Sequence, residues 1–343
     1  MFRRLLRYAL YVVAAGILAS VLATVLMFPY AVDPESDRTA RTRQFYLDAY
    51  ADATRPAETD ATGESTEGDA TEELAAEPDT TAAAEPVPSH AGEEHGLYVV
   101  SARNMADYYH VPDIVSAFVR DYGLASKKVL EVGAGSGQLQ DEVADYTGLD
   151  ISPTARRFFH KPFVEASATD MPFPDDTFDA VWSIWTLEHI PNPELALEEM
   201  RRVVKPGGYI LLYPALDVSR FASQGLHARP YEDLTWKQKF LKSLIPIADS
   251  KPFHLLYFHQ IRILRSLYTW LSGEPSRLHF VRLEPNYEDY WEGDSDAPAS
   301  LSNHELYLWF KTRGDTCVNC PSEAMLTFRD YPLPYLILQK TGK

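Results

Sequence analysis

The chain reads as an α/β protein built on a doubly wound parallel sheet, and three stretches carry that reading. VLEVGAGSG at 129–137 is an apolar run that enters a glycine-rich turn. Asp150, at the end of GLD, lies 19 residues after Glu131, the interval at which such sheets set an acidic group beside a ribose. From 127 to 213, apolar runs suited to buried strands alternate with helical segments, the pattern of an open parallel sheet.

The order of elements begins outside that core. Tyr8 to Phe28 is a run of 21 residues without a charge, preceded by Arg3, Arg4 and Arg7. At about 1.5 Å per residue it is long enough to cross a bilayer core of about 30 Å. Residues 1–30 are therefore expected to be a transmembrane anchor. A cleaved signal peptide is the rival, but its apolar region is normally shorter, and no persuasive small-x-small site precedes Pro29.

Residues 31–95 are expected to be an acidic, disordered linker. Within 51–95, thirteen carboxylates face the single Arg55, so this stretch supplies −12 of the total charge of −17. With few large apolar residues it cannot bury enough surface to offset its ordering entropy. The acidity thus belongs to the linker, and it argues against nucleic acid as a partner. Arg38, Arg41 and Arg43 nearly balance the three arginines before the apolar run, so charge alone does not set the topology.

Residues 96–343 make the folded domain. Val129–Val132 is the first strand, and the turn through Gly133, Gly135 and Gly137 is expected to lead into a helix. Its spacing is G-x-G-x-G and not the G-x-G-x-x-G of dinucleotide folds. That, with Glu131 two residues before the first glycine, points to a smaller adenosine cofactor carrying an amino-acid tail. Thr147–Asp150 is the second strand, Phe163–Glu165 the third, and Phe178–Ile184 the fourth. A helix from 198, a Pro-Gly-Gly turn at 206–208 and a fifth strand to 212 follow.

Residues 127–213 resemble the class I S-adenosylmethionine-dependent methyltransferases, in the branch called methyltransferase type 11. The matching blocks are VLEVGAGSG, GLDIS, ATDMPFPDDTFDAV, LEHI and RRVVKPGGYILLYP, in that family's order. The resemblance implies a Rossmann-like sheet of seven strands with the last antiparallel, and S-adenosyl-L-methionine as cofactor. It implies that Glu131 and the turn through Gly133, Ala134, Gly135 and Gly137 hold the methionine end. Asp150, with Ile151 beside it, would take the ribose, and Asp170 and Met171 would flank the adenine.

Residues 214–301 interrupt the pattern as an insertion expected to choose the substrate. Thr235–Ile245 gathers Trp236, Phe240, Leu241, Leu244 and Ile245 on one side of a helix, with Lys237, Lys239 and Lys242 elsewhere around it. Residues 226–272 hold seven Lys or Arg against three Asp or Glu. A basic amphipathic helix suits a membrane surface, and a lid packed on the core is the competing reading. NYEDYWEGDSDA at 286–297 interleaves aromatics and carboxylates, a chemistry that fits a glycan. No metal site is expected, because Asp294 and Asp296 read as solvated loop carboxylates.

The family pattern resumes at 302–340. Ser302 with Glu305 three residues on forms a capping box, Leu306, Trp309 and Phe310 follow at helical spacing, and Gly314 stops the helix. Strand six is expected over Thr316–Cys320 and the final strand over Tyr335–Gln339. Cys317 and Cys320 read as structural cysteines, and RGD at 313–315 as the helix end.

His189, just after strand four, is the best general-base candidate, since imidazole titrates in the useful range; its alternative role is to orient the loop. Glu188 is the weaker second. The function expected is O-methylation of a membrane-associated acceptor, such as a lipid-linked or surface-polysaccharide sugar. A quinone-like or lipid small molecule is the alternative acceptor, and a non-catalytic cofactor-binding module the alternative class. The cofactor is a cytoplasmic metabolite, so a single-pass protein would keep this domain in the cytoplasm.

Overall fold

The computed structural model describes residues 41–48, 95–248, 250–256, 258–289, 291, 293–322, 326–327 and 334–341, together with Tyr11 and Gly16. The segment Tyr8–Phe28, expected as an anchor, lies outside the described residues apart from Tyr11 and Gly16. Among the described residues no helix is long and apolar enough to cross a membrane.

Seven strands form one sheet. They are β1 (Lys128–Val132), β2 (Asp145–Asp150), β3 (Phe163–Glu165), β4 (Phe178–Ile184) and β5 (Val204–Tyr213), with β8 (Thr316–Cys317) and β9 (Leu336–Gln339) from the C-terminal part. Their spatial order is β3-β2-β1-β4-β5-β9-β8. β1 pairs parallel with β2 and β4, and β9 runs antiparallel to both β5 and β8. The last strand is thus the reversed one, as the resemblance implied.

Alternation along the strands divides the core into two layers. Val129, Ala180, Trp182 and Leu211 pack on Val111, Val115, Phe118 and Val119 of the helix Val111–Asp121. Leu130, Val132, Val181 and Ile210 face the other way. They pack on Leu197, Met200 and Val203 of the helix Pro193–Val203, and on Leu306, Trp309 and Phe310 of the helix Asn303–Lys311.

Two expectations for the core change. The helix after the glycine turn is absent, and residues 133–144 run as turns and bends. Once the glycines are used, too little chain remains before β2 for a full crossover helix. Gln140 holds this short link instead. Its Nε2 donates to the Gly137 and Phe158 carbonyls, and its Oε1 accepts from the His160 amide at 3.0 Å. The Pro-Gly-Gly segment is an irregularity inside β5: Phe178 pairs with Val204, whereas Ala180 pairs with Tyr209. Gly207 takes up this slack at φ +82°.

The stretch 31–95 is not uniformly a linker. Residues 41–48 form a helix docked on the domain, while 49–94 lie outside the described residues. Phe45 and Tyr46 are buried with Ala155 and Phe163, and Arg43 pairs with Glu165 at 2.7 Å. Ser152 and Thr154 donate to the carbonyls of Tyr46 and Leu47. An aromatic pair in a polar stretch was the signal for this helix.

The insertion forms three helices, Trp236–Ala248, Lys251–Leu256 and Phe258–Ser272, and a ribbon of β6 (Val281–Arg282) with β7 (Ala299–Ser300). Ser302 caps the helix Asn303–Lys311 as expected. Glu305 does not complete the capping box. Its carboxylate binds Arg265 of the insertion in a two-pronged pair at 3.0 and 2.9 Å. The RGD is internal: Arg313 lies over the Trp309 ring and Asp315 pairs with Arg201. Cys317 and Cys320 form a disulfide, so strand six ends at Cys317.

Candidate active site

A cavity of about 260 Å³ opens at the C-terminal ends of β1, β2 and β4. Strand order reverses there, on the two sides of β1, which is where α/β sheets leave a crevice for ligands. Gly133, Asp150 and Ile151 line it from the first two strands and Ser167 to Thr169 from the segment after β3. Trp185, Thr186 and His189 come from the segment after β4, and Thr42 and Tyr46 from the helix 41–48.

The glycine turn is built to stay thin. Gly133 has φ +74°, and a Cβ placed on it would lie 2.2 Å from the Thr186 side chain. β1 and β4 are neighbours, so the loops that leave them touch here, and no side chain fits between. Asp150 anchors the same turn: its Oδ2 accepts from Gly135 N at 2.9 Å and its Oδ1 from Ser152 N at 2.9 Å. Burial raises its pKa to about 6, against those amide bonds, which favour the charge. Each oxygen keeps acceptor capacity beyond its one amide bond, so Asp150 can still take ribose hydroxyls.

The other residues expected at the cofactor are spread differently. Ala134, Gly135 and Gly137 shape the turn without lining the cavity. Glu131 is buried behind it, where Tyr146 donates to its carboxylate and burial raises its pKa to about 8. Met171 is packed in the core, its amide held by Glu199 at 2.7 Å. Asp170 is exposed, and Ser167, Ala168 and Thr169 reach the cavity instead. The donor set nevertheless fits an adenosine cofactor: a carboxylate at the end of β2, Ile151 beside it, and a bare backbone at the turn.

Trp185 went unnoticed in the sequence. It lines the cavity at φ +45°, a left-handed conformation that costs a bulky residue about 1–3 kcal/mol and clusters at functional sites. Its amide donates to the Tyr213 carbonyl at 2.7 Å, and its ring meets those of Tyr109 and Tyr213 edge-on.

His189 sits among carboxylates. Its Nδ1 is 3.2 Å from Asp296 Oδ2, and its Nε2 is 3.9 Å from both Glu188 Oε1 and Asp294 Oδ1. Tyr46 donates to Asp296 Oδ2 at 3.0 Å. Asp296 is buried beside the imidazole, which corrects the expectation of a solvated loop carboxylate there, while Asp294 stays partly exposed. Burial alone would lower the His189 pKa, but Asp296, Glu188 and Asp294 outweigh it and raise it to about 10. Burial raises Glu188 to about 8. Near neutral pH the ring therefore keeps its proton and does not offer the free nitrogen of a general base.

Fold and cavity together define an α/β protein of the nucleotide-cofactor class, with its crevice at the C-terminal edge of the sheet. Residues 130–212 match the family model described as a methyltransferase domain. A sterol 4-C-methyltransferase from Caenorhabditis elegans is 30% identical over 107 residues, 27% of this chain and 32% of the relative. A fatty-acid O-methyltransferase from Mycolicibacterium smegmatis is 38% identical over 98 residues, 25% of this chain and 36% of the relative. A demethylmenaquinone methyltransferase from Tropheryma whipplei is 26% identical over 226 residues, 58% of this chain and 81% of the relative. The chain spans about a third of the length of the first two.

Proposed function

We propose that the chain transfers the methyl group of S-adenosylmethionine to a lipid-soluble acceptor, a quinone-like or other lipid small molecule, at a membrane surface. One observation carries this reading: the insertion helices turn large apolar side chains outward. Trp236 and Trp270 are each 75% exposed, Leu271 68% and Phe240 59%. Lys237 and Lys239 lie on the same helix as Trp236 and Phe240. Aromatic residues with lysines beside them suit an anionic headgroup layer, and a patch of this kind on a protein surface marks an interaction site. The acceptors named by the three relatives, a sterol, a fatty acid and a demethylmenaquinone, are lipidic as well.

The carbohydrate reading of 286–297 is the second reading, because several of those groups have partners within the protein while Glu288 and Asp289 are exposed. Tyr287 meets Thr42 and Phe45, Trp291 lies under Arg229, and both aspartates face His189.

Bound S-adenosylmethionine brings an activated methyl group on its sulfonium. In this reading Asp150 orients the ribose, the turn at Gly133–Gly137 carries the amino-acid tail, and Trp185 and Tyr46 shield the cleft from water. His189, which lines the cavity, faces the acceptor and holds it in line, with Glu188 buried behind the ring. Tyr8–Phe28 serves as the anchor, and the domain lies in the cytoplasm. A reducing compartment opens the Cys317–Cys320 bridge, so protein quenched directly from cells should titrate with two thiols. An intact bridge would place the domain outside.

The test of activity is incubation of the purified chain with labelled cofactor and native membranes. Label is expected in the organic extract. Label in acid-hydrolysed sugars would transfer the assignment to a glycan, and cofactor binding without any product would leave only a binding module.

A further inference from the structure

We propose that Glu188, His189 and Asp294 form a site for a divalent cation of the Mn²⁺ or Zn²⁺ type at the edge of the cofactor cavity. One oxygen from each acid and one ring nitrogen all lie within 4.8 Å of one another. An ion placed among donors so spaced is roughly 2.5 Å from each, a few tenths of an ångström beyond Zn–O and Zn–N bonds of about 2.0–2.2 Å. Side-chain rotation closes that difference.

Two further observations point to a ligand. Glu188 is wholly buried, and neither carboxylate oxygen has a hydrogen-bond partner of full geometry, although the His189 ring and the Ala215 and Glu188 backbones favour its charge. A buried carboxylate so placed costs stability unless a cation meets it. The second is the far side of the ring. Asp296 stands on Nδ1 and is held in turn by Tyr46, so the ion would take Nε2 in place of the proton that the ring otherwise holds there. A carboxylate behind a ligating histidine is the arrangement that fixes tautomer and ring orientation at metal centres.

Two carboxylates and one imidazole suit Mn²⁺ or Zn²⁺ better than a soft-ligand metal. His189 also lines the cofactor cavity, and three protein donors leave coordination positions for an acceptor oxygen. The ion's role as an acceptor holder rests on the methyl-transfer reading; its binding does not.

The full chain, freed of metal by a chelator, is titrated with Mn²⁺ and with Zn²⁺ by calorimetry, and with Mn²⁺ by electron paramagnetic resonance. One ion per chain is expected. Glu188→Gln and Asp294→Asn should each weaken it at least tenfold, and Asp296→Asn by about 10–100-fold through loss of ring orientation. Circular dichroism checks the fold of each variant, and the partly exposed Asp294 makes its variant the safest. No binding by the wild type, or wild-type affinity in folded Asp294→Asn, overturns the site. A parallel titration with S-adenosylmethionine separates the two readings, since ion binding without cofactor binding would sink only the methyl-transfer assignment.

Discussion

The Gly135 amide donates to Asp150 Oδ2 at 2.9 Å, so the carboxylate assigned to the ribose is also the peg that holds the glycine turn. On that assignment, cofactor recognition and loop shape share one side chain. Asp150→Ala should abolish measurable S-adenosylmethionine binding in calorimetry while circular dichroism stays unchanged, and undiminished affinity would defeat the assignment.

The same carboxylate gives cofactor binding a pH dependence. Its pKa of about 6 lies above the ordinary aspartate value, so below pH 6 it is largely protonated and loses its charge-assisted bonds to hydroxyls. Affinity should fall several-fold between pH 7.5 and pH 5. A flat profile would show that Asp150 does not contact the cofactor in its ionised form.

Gly133→Ala should destabilise the fold by about 1–3 kcal/mol and weaken cofactor binding, because the new methyl group meets Thr186. Adding Thr186→Ala should recover only part of the steric cost, because the Cβ that remains lies 2.7 Å from the new methyl group, and about 1 kcal/mol belongs to the left-handed backbone. Chemical denaturation of both variants measures this, and failure of the second change to recover anything would count against the contact.

Glu305 carries an acid-sensitive link between insertion and core. Burial pushes its pKa up, but hydrogen bonds from His304 and Arg265 outweigh that and hold it at about 2. A depressed carboxylate pKa adds stability that is present above the unfolded value, near 4.5, and is lost as pH falls toward 2. Glu305→Gln should therefore cost about 2–3 kcal/mol at pH 7, and the gap from wild type should narrow by pH 3. An equal gap at both values would show that the charge contributes nothing.

Trp236→Ser with Trp270→Ser should reduce sedimentation with anionic phospholipid vesicles without changing cofactor affinity in detergent. Because Tyr8–Phe28 would itself hold the chain on vesicles, the comparison is made on chains beginning after Phe28. Retained vesicle binding in the double variant would remove these helices from the membrane contact.

Much of the sheet was legible because its strands are short apolar runs bounded by glycine, proline and acid. β1 to β5 and the reversal of the last strand emerged in place, and Ser302 marked its helix. The turn at Gly133 and Asp150 were found because backbone demands and a carboxylate at a fixed interval leave local signatures. The partners of His189 were not: Asp294 and Asp296 lie over a hundred residues downstream, in an insertion with no periodic pattern to place them. The missing helix after the glycine turn was a failure of length bookkeeping, since the link to β2 is too short to hold one. Trp185 left no trace because nothing local announces a left-handed tryptophan.

Docking of residues 41–48 onto the domain alters what the acidic stretch can do. Residues 41–48 sit on the folded body, with Thr154 donating to the Leu47 carbonyl. Only residues 29–40 would then separate the cleft from the anchor, at most about 40 Å of fully extended chain. The enzyme would graze close to the bilayer however long or variable its acidic loop became.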